Sequence, residues 1–168
     1  MSAIYPGSFD PVTYGHIDIA RRSAKVFGRI IVAVLDNPDK TPLFDINERM
    51  ALLREAFSQD TNIEVESFSG LLVDYAQQKG IGTIVRGLRG SEDIAKEMPY
   101  AIWNRKLSTE LAIPVETVYF TAEPDLAHIS SSIVKEVAAF VYPAGMSDTE
   151  ITQAVPPIVC TALREKYI

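Results

Sequence analysis

A chain of 168 residues is long enough for one domain with a sizeable core, and 47% hydrophobic against 23% charged residues is an ordinary globular balance. The net charge of −6 excludes a broad nucleic-acid-binding surface, so an anionic ligand must be met by positive groups concentrated locally. The single cysteine, Cys160, excludes an internal disulfide framework and suits a reducing, cytoplasmic compartment. The start lacks the pattern of a signal peptide, and no apolar run approaches the roughly 20 residues that span a bilayer.

The first stretch, Ala3-Ile4-Tyr5, predicts a short apolar strand that breaks at Pro6-Gly7, because proline cannot donate to a ladder. After Asp10-Pro11 the chain turns through Thr13-Tyr14-Gly15 into His16, where a helical pattern of Ile17, Ile19, Ala20, Ala24 and Phe27 begins and Gly28 ends it. Ile30 to Leu35 is a continuous β-branched run, as expected of a strand buried on both faces. A polar loop with Lys40 follows. Asp45 and Glu48 then form a capping box opening a helix through Phe57. Ile63 to Phe68 alternates as a strand, and Leu71 to Gln78 reads as a helix closed by Gly80.

Thr83-Ile84-Val85 predicts another buried strand, running directly into Arg86-Gly87-Leu88-Arg89-Gly90. A helix from Ser91 to about Leu111 should be kinked or divided by Pro99, which lacks the N–H that an interior position needs. Pro114 to Phe120 reads as a fifth strand. A loop then leads to Ser130-Ser131-Ser132 and a helix from Ile133 to about Phe140. From about residue 142 the tail is looser, with Ile158 to Tyr167 able to form a last helix. Strand and helix alternating five times predict an α/β chain. The expected architecture is a Rossmann-like, doubly wound, five-stranded parallel sheet with helices on both faces, forming one domain across residues 1–168.

Four segments fall at or near the carboxyl ends of the predicted strands, where ligands bind in such sheets. Ser8, Phe9 and His16 lie in the first, and the helix beginning there turns free N–H groups and the positive end of its dipole toward an anion. Lys40 lies in the second; taken alone, a loop lysine is a solvated charge. Arg86 and Arg89 flank a glycine in the third, and arginine suits two-pronged phosphate contacts. Ser130, Ser131 and Ser132 open a helix in the fourth. One such serine is an ordinary cap, whereas three offer hydroxyls and free N–H groups together. A helix-terminal array with His16, Lys40, Arg86 and Arg89 suits phosphoryl or nucleotidyl transfer. The Walker and GxGxxG patterns are absent, as are a G-x-S-x-G elbow and a zinc-type Cys/His cluster.

The Thr13-Tyr14-Gly15-His16 string resembles the TxGH form of the HxGH signature of the nucleotidyltransferase superfamily. With IYPGSFDPVTYGH, RGLR and ISSSIVKE in order, residues 3 to about 141 look like a bacterial phosphopantetheine adenylyltransferase. The resemblance implies adenylyl transfer from ATP to 4′-phosphopantetheine, with release of dephospho-coenzyme A and pyrophosphate. It implies Mg2+ held by substrate phosphates and water, a cytoplasmic homohexamer built as a dimer of trimers, and coenzyme A as an inhibitor. It makes His16 the transition-state stabiliser, with Lys40 and Arg86 beside it. Ser8, Lys40, Leu72 and Arg86 become acceptor-binding positions. Ser8, Phe9, His16, Gly87, Leu88, Arg89, Glu97, Leu126, Ala127, His128, Ile129, Ser130, Ser131 and Ser132 become ATP-binding positions. The chain departs from the family at Asp93-Ile94-Ala95-Lys96-Glu97, where DFEYE is common, at Pro99 and at Leu126. The alternatives are a superfamily enzyme with another acceptor or base, and a non-catalytic nucleotide-binding protein.

Overall fold

The structure is a computed structural model describing residues 1–36 and 41–168. Its sheet contains β1 (Ser2–Gly7), β2 (Arg29–Leu35), β3 (Ile63–Phe68), β4 (Thr83–Leu88) and β5 (Glu116–Thr121), in the order β3-β2-β1-β4-β5. The adjacent pairs are all parallel. The helices are α1 (Tyr14–Phe27), α2 (Ile46–Ala56), α3 (Leu72–Lys79), α4 (Ser91–Ser108), α5 (Ser131–Val141), α6 (Thr149–Ala154) and α7 (Pro157–Tyr167).

The strand pleat explains why both faces are covered. Ala3 and Tyr5 of β1 and Ile30, Val32 and Val34 of β2 point into one core cluster. Ile4, Ile31 and Ala33 point into the other, against Val73, Tyr75 and Ala76 of α3. Ile4 and Ile31 are almost wholly buried, and such a side chain contributes about 1.5–3 kcal/mol relative to exposure. The C-terminal helices are part of this packing: Ile151, Val155, Val159 and Leu163 belong to the same cluster as α1 and β2.

Several details bear on the sequence reading. β1 does not break at Pro6-Gly7, since both residues remain in register with Ala33 and Val34 of β2. On the other side, the only registered pair between β1 and β4 among the described residues is Ile4–Ile84. The effect of Pro6 is therefore seen on one flank. Of the two outcomes expected at Pro99, a kink or a break, the break does not occur, since α4 runs undivided through it. Its Ala95 carbonyl loses a helical donor but lies in an exposed stretch where water can replace it. Finally, β5 begins two residues later than expected, and the six-residue α6 was not anticipated.

Gly82 brings the entry to β4 against the entry to β5. A Cβ there would collide with the Pro114 carbonyl oxygen and lie 3.0 Å from Ile113 Cγ2. Gly82→Ala is therefore expected to lower stability by about 1–3 kcal/mol, read as a fall in melting temperature. An unchanged transition would contradict the close approach.

Candidate active site

The strand order reverses between β1 and β4, the switch point at which ligands bind in open parallel sheets. A cavity of about 310 Å³ opens there at the carboxyl ends of the strands. Its walls come from the loop after β1, the end of β4, the first turns of α1 and α4, and the start of α5.

His16 is the third residue of α1, and its place is set by a capping box. Thr13 caps the helix: its Oγ1 accepts the His16 N–H at 3.4 Å, while the Thr13 N–H donates to His16 Nδ1 at 3.1 Å. A bare Nδ1 puts the proton of a neutral ring on Nε2. Burial pushes the His16 pKa down to about 4, and the nearby Arg89 and Arg86 charges push the same way. Near neutral pH His16 is thus an uncharged donor whose Nε2–H has no protein acceptor among the described residues. The Phe9 ring meets its ring edge-on at 5.1 Å between centroids. Phe9 itself sits at φ 49, a left-handed conformation that is strained for a bulky residue.

Arg86 crosses the opening. Its Nη1 donates to the Pro6 carbonyl at 2.7 Å, and Nε and Nη2 donate to the two Glu97 oxygens at 2.6 and 2.7 Å. These bonds use three of its five N–H donors. Arg89 is held likewise by Asp93, which accepts from its Nε and Nη2 at 3.0 Å and from its backbone N–H at 2.8 Å. Gly87 lies between them. A Cβ there would approach Ile19 Cγ1 at 3.3 Å, a tight contact, and the Tyr5 hydroxyl at an ordinary 3.7 Å. Opposite, Ser130 caps α5 by accepting the Ile133 N–H at 3.2 Å, and Ser131 donates to the Pro11 carbonyl at 2.8 Å. Ser132 is exposed at the cavity with its hydroxyl uncommitted.

Most sequence-predicted positions therefore converge. Ser8, Phe9, His16, Arg86, Gly87, Leu88, Arg89, Glu97, Leu126, Ile129, Ser130, Ser131 and Ser132 line this one cavity. Ala127 and His128 do not line it. Leu72 packs at the margin of the second core cluster, away from it. Lys40 falls outside the described residues. Sequence reading missed Tyr5 and Asp93 as wall residues. Asp93 carried a usable signal, because Arg89 and Asp93 are spaced i,i+4. It also missed Arg49, which is buried in α2 and donates to the Ser8 carbonyl at 2.9 Å and the Leu35 carbonyl at 3.2 Å.

Two helix N-termini, two fastened arginines and one neutral histidine facing a common space form a site for a substrate with several phosphates. The family model described as cytidylyltransferase-like matches residues 4–137, which places the chain among the nucleotidyltransferases. The protein called phosphopantetheine adenylyltransferase in Heliobacterium modesticaldum is 46% identical over 165 residues, covering 98% of this chain and 92% of that one. Its namesake in Alkaliphilus metalliredigens is 45% identical over 163 residues, covering 97% of each. The chain belongs to the phosphopantetheine adenylyltransferase family. In fold it is also similar to the Plasmodium falciparum nicotinic acid mononucleotide adenylyltransferase complexed with NaAD. That likeness has a TM-score of 0.65 and 16% identity, covering 98% of this chain and 93% of the other.

The His16 environment has a direct readout. Nitrogen NMR of the ligand-free protein should show the Nε2–H tautomer at pH 7 and a protonation midpoint of about 4. Because the folded value lies below the ordinary 6.5, the unfolded chain takes up this proton first. The His16 contribution to stability is then fully present above about 6.5 and is lost as pH falls toward 4. A midpoint near 6.5, or an Nδ1–H tautomer, would contradict the capping geometry.

Proposed function

We propose that the cavity between β1 and β4 performs adenylyl transfer by holding two phosphate-bearing substrates end to end, with His16 stabilising charge at the reacting phosphate. The chain transfers the adenylyl group of ATP to 4′-phosphopantetheine, giving dephospho-coenzyme A and pyrophosphate. One bond forms, from an acceptor phosphate oxygen to the α-phosphorus. One bond breaks, between the α-phosphorus and the bridging oxygen, and the electron pair leaves with pyrophosphate. The nucleophile arrives as an anion, so no side chain has to remove a proton.

Positioning then does most of the work, and it can supply roughly 7–11 kcal/mol in favourable cases. The α5 start, with Ser130, Ser131 and Ser132, would receive the donor phosphates, and Arg89 and Gly87 would flank the nucleoside side. Ser8, Lys40 and Arg86 would hold the acceptor phosphate. The observation that carries this reading is the neutral Nε2–H donor of His16, set between two helix N-termini and two arginines.

Mg2+ bound to the donor phosphates would neutralise charge on the leaving pyrophosphate. No group of three metal-ligating side chains occurs among the described residues. The cavity carboxylates of Glu97 and Asp93 are engaged by Arg86 and Arg89. This donor set fits an ion coordinated by substrate oxygens and water.

Self-association is supported by α4. Only Ser108 of that helix is buried, while Tyr100, Ile102 and Trp103 are 70%, 60% and 57% exposed. Such an apolar face marks an interaction surface, and the reading is a homohexamer arranged as a dimer of trimers. No described helix is long and apolar enough to cross a membrane, and the enzyme is read as cytoplasmic, with coenzyme A as an inhibitor of the same cavity.

His16→Ala should lower kcat by about 10²–10³, the usual effect of deleting one donor aimed at developing charge, while the ATP dissociation constant changes by less than about tenfold. Steady-state kinetics alongside calorimetric ATP binding make the comparison. Equal losses in turnover and binding would sink the assigned role.

A further inference from the structure

Asp10 is 5% exposed, although it carries a charge that burial penalises unless it is well partnered. Its partners come from two separate parts of the chain. Oδ1 accepts the Phe44 N–H at 2.9 Å, and Oδ2 accepts the Leu43 N–H at 3.0 Å. The ammonium of Lys135 in α5 donates to the same Oδ2 at 2.6 Å. Lys135 lies one turn below Ser131, which itself donates to the carbonyl of Pro11. One face of α5 is thus fastened at two points to consecutive loop residues. From the opposite side, buried Arg49 of α2 holds the Ser8 carbonyl.

Residues 43–45 lead directly out of the Lys40 loop, whereas the first turn of α5 lines the cavity with Ser131 and Ser132. Phe9, next to Asp10 in the chain, has its ring against His16 at 5.1 Å between centroids. We propose that the Asp10 carboxylate is a positioning residue that ties the acceptor-side segment at Leu43 and Phe44 to the donor-side helix α5, keeping the two substrates in register. This rests on the reading of the cavity as the adenylyl-transfer site. In-line displacement requires both phosphates to be placed together, and a misplacement of about 1 Å can lower a rate by about 10²-fold. Asp10 touches neither substrate in this account, so its effect is on turnover more than on either binding step.

The test uses the full chain with Lys135→Met, Lys135→Arg and Asp10→Asn. The two lysine variants leave the backbone bonds to Asp10 available if the aspartate change fails to fold. Lys135→Met should lower kcat by roughly 10- to 100-fold with each KM within about threefold, and Lys135→Arg should recover most of the loss. Amide hydrogen exchange gives a second readout: in Lys135→Met the Leu43 and Phe44 amides should exchange faster, although that residue bonds neither. A fall in melting temperature with kcat and these two amides unchanged would overturn the proposal and leave a structural ion pair. If wild-type protein releases no pyrophosphate, the activity reading fails by itself, and the exchange of Leu43 and Phe44 still decides whether the carboxylate couples the segments.

Discussion

Among the described residues Ile4–Ile84 is the only registered pair between β1 and β4, and beyond it Arg86 links the two strands at the cavity. Pro6 has no N–H to offer a ladder, and its carbonyl is taken by Arg86. Arg86 in turn is gripped on two prongs by Glu97 of α4. The guanidinium therefore connects β1, β4 and α4 at the cavity. Two of its N–H donors remain for a ligand.

The charge arrangement follows from the same constraint. The chain carries −6 overall, yet its cavity presents Arg86, Arg89 and two helix N-termini. Those arginines, added to burial, keep His16 neutral. A cationic histidine would attract the ground-state triphosphate strongly as well as the transition state. A neutral donor with fixed geometry favours the species in which charge has shifted onto the reacting oxygens, and only that difference raises turnover. Glu97 and Asp93 hold the two arginines on two prongs each.

Much of this was legible in the sequence, for identifiable reasons. Buried parallel strands such as Ile30–Leu35 announce themselves as β-branched runs, and the caps at Thr13, Asp45 and Ser130 depend on residues within three positions of one another. What was not legible depends on distance. Asp10 and Lys135 are 125 residues apart, and neither shows its partner in any local pattern. Arg49 reads as a polar helix position until the carbonyls of Ser8 and Leu35 are brought to it. Of the two outcomes the sequence allowed at Pro99, a kinked or a divided helix, α4 excludes division. The six-residue α6 is too short to show periodicity in the sequence, and it buries Ile151 and Ala154.

In the proposed reaction the acceptor brings its own anionic nucleophile into a site that positions phosphates and needs no base. The most direct measurement is pyrophosphate release from ATP and Mg2+ with 4′-phosphopantetheine, beside the same assay with pantetheine, whose terminal hydroxyl would have to be deprotonated. The account predicts release that requires the phosphorylated acceptor and is at background with pantetheine. Comparable release with pantetheine would contradict it, because the cavity would then have to supply a base, and its Glu97 and Asp93 carboxylates are engaged by Arg86 and Arg89.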